Sequence, residues 1–195
     1  MKKLLIIITL TFALTSIYAQ SNLGIRGGVN FSTQSFDGVE DVETGSLAGW
    51  QLGLNYEIAA SESFAVRPGV EYAVKGGRLS IDDAGDLLET ENKFHYLYVP
   101  IDLVFDLSIV DIFAGPYFQY ALSGSSTTGD VNVDLDFDQN DVNRTDYGLN
   151  VGANVDIGDK IYVGGYYSLG MGNLSNEVDL DIKNSSLNLF LTYRL

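Results

Sequence analysis

Residues 49–58, GWQLGLNYEI, place an apolar side chain at every second position. Trp50, Leu52, Leu54, Tyr56 and Ile58 alternate with Gly49, Gln51, Gly53, Asn55 and Glu57. A period of two marks a strand with one apolar and one polar face. The pattern recurs along the chain and predicts strands over 23–31, 47–58, 64–75, 96–106, 110–122, 146–157, 161–170 and 186–195. Each is close to the ~9–11 residues with which a tilted strand crosses a bilayer. No segment shows sustained helical spacing.

The connections alternate in length. Residues 59–63, 107–109 and 158–160 are short turns, whereas 32–46, 76–95, 123–145 and 171–185 are long. Short turns gathered at one end and long loops at the other predict an all-β fold, an eight-stranded antiparallel up-and-down transmembrane β-barrel. Within the third long loop, VNVDLDFD still alternates and predicts a hairpin continuing above the membrane plane.

The two faces of these strands say which side meets lipid. The apolar face, with Leu23, Ile25, Val29, Leu52, Leu54, Val66, Val70, Val74, Leu97, Ile101, Leu103, Val151 and Leu189 among its members, carries no charge. The other face carries Arg26, Glu57, Arg67, Glu71, Lys75, Asp102, Asp111, Asp146, Asp156 and Arg194. It also holds glycines such as Gly28, Gly53, Gly115, Gly148, Gly152 and Gly164, beside Tyr96, Tyr98, Phe113, Tyr117, Tyr162, Tyr166 and Phe190. Glycine weakens a strand and gains nothing on an open surface, but it makes room inside a narrow barrel. The polar face is therefore expected in the lumen and the apolar face against lipid. The inward charges are expected to pair in a network that fills the barrel, because isolated buried charges are costly.

Aromatic side chains on the apolar face sort into two belts once the amino terminus is placed in the periplasm. Phe31, Trp50, Tyr72, Phe118, Tyr120, Tyr147 and Tyr167 fall toward the outer ends; Tyr56, Phe64, Phe105 and Tyr193 fall toward the inner ends. Amphipathic rings belong at both membrane interfaces. Pro68, Pro100 and Pro116 sit inside strands, where a closed barrel offers no edge. Bulges are expected there, with a slip of one residue in face parity beyond each.

Composition narrows the picture further. Lys2 and Lys3 precede an apolar run, Leu4 to Leu14, and Ala19 is a small residue at a cleavage point, so 1–19 read as a secretory signal peptide and 20–195 as the barrel domain. With 26 acidic against 11 basic residues, and two of the lysines in the leader, a nucleic-acid partner is not expected. The absence of cysteine removes disulfides, thiolate nucleophiles and cysteine metal sites.

Three stretches invite a chemical reading. His95 is the single histidine and lies at the outer rim of its strand, but KFHYLY (93–98) holds no serine beside it. A nucleophile–base pair needs one, together with a carboxylate. Asp130, Asp134, Asp136, Asp138 and Asp141 crowd one loop, yet counting from Asp134 places Gln139 and Thr145 where a calcium loop needs glycine and glutamate. A solvated acidic loop is the expectation. GIRGG (24–28) opens no helix and is no dinucleotide fingerprint. No catalytic, cofactor or metal residue is assigned.

In order, GIRGGVNFS (24–32), VRPGVEYAVKGG (66–77), YLYVPIDLVF (96–105), AGPYFQYALSG (114–124), DYGLNVGANV (146–155), YYSLGMGNL (166–174) and NLFLTYRL (188–195) resemble the Bacteroidetes outer-membrane β-barrel family, often labelled PorT-like or porin-family. The resemblance implies an eight-stranded barrel in a Gram-negative outer membrane. Two departures stand out: Tyr98 where the family often has Glu in its YLEIP motif, and a terminal Leu195 where insertion signals usually end in Phe. The family label suggests a secretion role, but no residue here transfers it.

The expected partners are the lipid bilayer and lipopolysaccharide, with a protein at the acidic loops. Eight strands leave an interior just wide enough for side chains, so the expected barrel is plugged; with no catalytic residue assigned, it is expected to be non-enzymatic. The alternatives are a lipid-modifying enzyme using His95 and an accessory of a transport or secretion system.

Overall fold

The computed structural model describes residues 22–37, 43–83, 86–135, 137, 142–175 and 181–195. The proposed leader and Asp136, Asp138 and Asp141 lie outside them. Ten strands form one antiparallel sheet: β1 (Leu23–Asp37), β2 (Glu43–Tyr56), β3 (Ile58–Ala59), β4 (Phe64–Asp83), β5 (Asp86–Asp106), β6 (Asp111–Thr128), β7 (Val131–Asp134), β8 (Thr145–Ile157), β9 (Ile161–Gly170) and β10 (Asp181–Arg194). β3 continues β2 past Glu57, and β7 is a short extra strand on β6. The remaining neighbours pair in a ring of eight staves, closed by β1 against β10 and by β2 against β4.

The ring separates the two faces. Trp50, Leu52, Val70, Leu97, Leu103, Val151 and Leu189 stand outward and exposed, whereas Arg26, Arg67, Tyr96, Tyr98, Tyr162 and Glu71 are each within 1 % of fully buried. The core of this molecule is thus its lumen, and half of it is polar. A soluble barrel would place its leucines there and its arginines outside.

Glycine lets the staves curve this tightly. A Cβ on Gly115 would stand 1.9 Å from the Ile101 carbonyl oxygen, and one on Gly148 would stand 2.0 Å from that of Leu169 and 2.8 Å from the Tyr117 ring. The lumen glycines therefore admit the neighbouring strand's backbone as well as the bulky rings expected from the sequence.

Several expectations change. The strands run well past the spans read from the sequence: the long connection 76–95 is the upper part of a β4–β5 hairpin whose pairing continues to Asp83 and Asp86. β6 likewise extends to Thr128. Nor do the prolines slip the register. Pairing steps from Pro68–Ile101 to Glu71–Tyr98, and from Pro100–Tyr117 to Leu103–Ala114, in unchanged register. Each proline lacks one ladder donor and the strand simply passes it. The shifts fall elsewhere, between Ser46 and Gln51 in β2 and at His95/Tyr96 in β5. Beside the first of these, Val74, expected against lipid, is only 4 % exposed.

Candidate functional site

The sheet aims one set of polar side chains at the barrel axis from every side. In the middle of the lumen Arg26 Nη1 donates to Glu71 Oε1 at 3.1 Å. The Asp102 carboxylate stands between two guanidiniums, 3.8 Å from Arg26 Nη2 and 3.7 Å from Arg67 Nε. Aromatic faces complete the lining: Arg26 lies 4.5 Å from the Phe190 ring centre and Arg67 4.9 Å from that of Phe113. Such contacts offset part of the cost of burying cations.

Toward the outer end, Lys75 Nζ donates to Gln119 Oε1 at 3.3 Å and lies 4.1 Å from the centre of the Tyr98 ring. Gln119 Nε2 in turn donates to Asp146 Oδ2 at 2.8 Å, which also accepts from Asn184. Toward the inner end, Arg67 Nη1 donates to Glu57 Oε2 at 3.4 Å, and both its Nη atoms reach Asn154 Oδ1. Asn154 donates to Asp111 Oδ2 at 2.7 Å. Arg194 pairs with Asp156 at 3.1 Å.

The ten charges named from the sequence thus divide by depth. Arg26, Arg67, Glu71, Lys75, Asp102 and Asp146 are sealed in the lumen. Glu57, Asp111, Asp156 and Arg194 instead line an open cavity of about 130 Å³ at the inner mouth. Sequence reasoning passed over the neutral half of the network. Asn150 accepts from Tyr98 and Ser168, Gln51 accepts from Tyr166, and Asn55 donates to Tyr162. Their signal was available, since these amides occupy the same parity as the charges and glycines.

At the outer end, a further set of apolar side chains meets the lumen wall. Leu135, Phe137 and Val142 pack on the cluster of Phe94, Tyr96 and Ala121. The Arg144 guanidinium lies 4.6 Å from the Phe137 ring centre. The expected hairpin in VNVDLDFD is seen as β7 paired with β6, and Leu135 extends it by donating its N–H to the Gly124 carbonyl at 2.9 Å while it and Phe137 pack inward. Asp130 and Asp134 are exposed beside it.

On the outer wall the aromatic residues take two levels. Trp50 and Tyr72 rings stand 5.4 Å apart at the outer end, and Phe64 and Phe105 rings 5.0 Å apart at the inner end. Phe31, Phe118, Tyr120, Tyr147, Tyr167 and Tyr193 are exposed on the same wall, and Tyr56 is half-buried. His95 shares a hydrogen bond with the Tyr72 hydroxyl at 2.5 Å. The imidazole therefore stands beside the Trp50–Tyr72 ring pair, its Nδ1 occupied by a phenol.

A family model described as an outer membrane protein beta-barrel domain matches residues 18–176. No curated protein sequence matches the chain. Among solved structures, Neisserial surface protein A (NspA) aligns with a TM-score of 0.59 at 13% identity, over 91% of this chain and 99% of that one. Ail, the attachment invasion locus protein of Yersinia pestis, aligns with a TM-score of 0.50 at 15% identity, over 90% of this chain and 99% of that one. At such identities the likeness concerns the fold.

Proposed function

The chain belongs to the outer membrane protein beta-barrel domain family, and from that membership we propose that it is a plugged, non-enzymatic barrel that braces the envelope and presents its outer loops to a partner. It sits in the outer membrane of a Gram-negative cell, within the lipid bilayer. One observation supports the plug above others: Arg26, Arg67, Glu71 and Asp102, all essentially inaccessible, occupy the middle of the lumen together with the rings of Phe113, Tyr166 and Phe190. A water-filled pore would leave these groups exposed.

Conductance in planar bilayers tests this. The expected result is silence or brief sub-conductance flickers. Steady openings on the nanosiemens scale, roughly that of the aqueous channels in larger barrels, would overturn the plug. A leader ending at Ala19 goes with this reading, and mature protein should begin at Gln20 by amino-terminal sequencing. The partner at the outer loops is proposed to be basic, because Asp130 and Asp134 stand exposed at the tip of β6–β7.

The second reading, lipid modification by His95, is weakened by the Tyr72 contact and by the outward position of the ring. His95→Ala should leave the lipid A profile of the cell unchanged. A role as an accessory in transport or secretion predicts instead crosslinks from the inner turns, at 59–63, 107–109 and 158–160, to a periplasmic protein.

A further inference from the structure

We propose that the outward face of the β4–β5 hairpin, where Arg78 and Lys93 stand directly above the Trp50–Tyr72–His95 ladder, is a binding site for a phosphorylated glycolipid of the outer leaflet. The inference rests on the outer-membrane reading and is independent of the plugged lumen.

Height on the wall sets the surroundings of these cations. From Phe64 in the inner belt to Val74, the register partner of His95, β4 climbs about 25 Å along the membrane normal, the height of the apolar band. The next steps outward pair Gly76 with Lys93 and Arg78 with Glu91. These cations therefore lie in the headgroup layer, where the phosphates of a glycolipid reside.

This chain is strongly acidic, with a net charge of −15. Of its few cations, Arg26, Arg67 and Lys75 are buried in the lumen, and Arg194 serves the inner mouth. Arg78 and Lys93 are kept on the outer wall with side chains 53% and 40% exposed. Glu91 is held between them, 3.3 Å from Arg78 Nε and 3.0 Å from Lys93 Nζ. The hydrogen bond from Lys93, aided by Arg78, keeps the Glu91 carboxyl below its ordinary range. An ionised Glu91 leaves the triad with one net positive charge, with Glu89 exposed at the next outward position of β5, farther from the membrane. It also orients both heads, and a guanidinium and an ammonium have donors to spare after one contact each.

Along β5 the site runs from Lys93 through His95 to Leu97 on the lipid-facing wall. Trp50 and Tyr72 rings, 5.4 Å apart, offer faces for a sugar and for the first methylenes of its acyl chains. The Tyr72 hydroxyl is fixed on His95 at 2.5 Å, which keeps the ladder rigid. An isolated phosphate would use the cations but not the rings; an uncharged lipid would use the rings but not the cations.

Trp50 is the sole tryptophan, so the site carries its own reporter. Purified protein in phosphatidylcholine nanodiscs should be titrated with bisphosphorylated lipid A, with lipid A stripped of phosphate, and with inorganic phosphate. The expected result is a saturable change in Trp50 emission with the first alone. Arg78→Gln/Lys93→Gln should weaken it about thirty-fold, and Glu91→Gln should tighten it. Equal responses to the two lipid A forms, saturation by inorganic phosphate, or unaltered binding in the double variant would each overturn the site. If the double variant does not fold, Glu91→Gln decides: unchanged or weaker binding ends the proposal. Heat-shifted gel migration of the wild-type protein separates the two levels. Its absence sinks the barrel reading and the site with it, whereas its presence with failed titration sinks the site alone.

Discussion

Arg26 and Glu71, 45 residues apart in the chain, meet at 3.1 Å in the middle of the lumen with almost no access to solvent. β1 and β4 bring them there from opposite sides of β2. The contact links non-adjacent staves across the barrel, and its energetics follow from its dryness.

Removing one partner leaves the other charged, buried and short of acceptors. Glu71→Ala should therefore cost about 3–5 kcal/mol. Arg26→Met/Glu71→Met should cost far less, because no uncompensated charge remains. Urea unfolding in detergent micelles, followed by Trp50 fluorescence, measures both. A single variant as stable as wild type would show that the network contributes nothing.

Orientation in the membrane can be tested by the sign of one substitution. Val151 is 55% exposed on the outer wall and lies between Tyr147 above and Val155 below. Val151→Arg should destabilise the bilayer-embedded protein by about 2–4 kcal/mol if it faces the midplane. On a water-facing surface the same change would be neutral. Equilibrium unfolding in lipid vesicles distinguishes the two.

Glycine positions should separate sharply by face. A methyl group at Gly115 would collide with the Ile101 carbonyl, whereas at Gly27 the nearest atom is 3.7 Å away. Gly115→Ala should impair closure of the ring and lower the heat-modifiable fraction recovered on refolding. Gly27→Ala should refold like wild type.

The inner turns carry a matched pair of backbone changes. Ser108 adopts φ 75° between β5 and β6, and Gly158 adopts φ 71° between β8 and β9. A side chain in that region costs on the order of 1 kcal/mol. Ser108→Gly should raise the urea midpoint and Gly158→Ala should lower it, although the first change also leaves the Asp106 carboxylate to cap the turn as before.

The wall of this barrel was legible because a bilayer imposes one rule on every stave. Wherever a strand crosses lipid, its outward positions must be apolar, and so the alternation from Trp50 to Ile58 recurs around the ring. Beyond the membrane that rule lapses. Arg78, Glu89, Glu91 and Lys93 interrupt the apolar series on the outward positions, so the upper β4–β5 hairpin looked like loop. The charges of the lumen were legible by parity, but their depth was not. Glu57 and Asp156 have the same parity as Arg26 and Asp102, and only the staggered ends of the staves put them at a mouth. The prolines misled for a simpler reason. Losing one donor at Pro68 or Pro100 is a local cost, and it does not require an extra residue.

The closure of β1 on β10, running from Gly24–Arg194 to Asp37–Asp181, has a consequence for biogenesis. The ring's last seam joins the earliest strand to the latest, across almost the greatest sequence separation the chain allows. Such distant pairing is slow to find and leaves edges open while it is sought. Until β10 pairs with it, β1 is left with an unzipped edge beside a greasy flank. Zipping that seam removes the last pair of unsatisfied backbone edges, which is the condition for a sheet to rest stably in hydrocarbon.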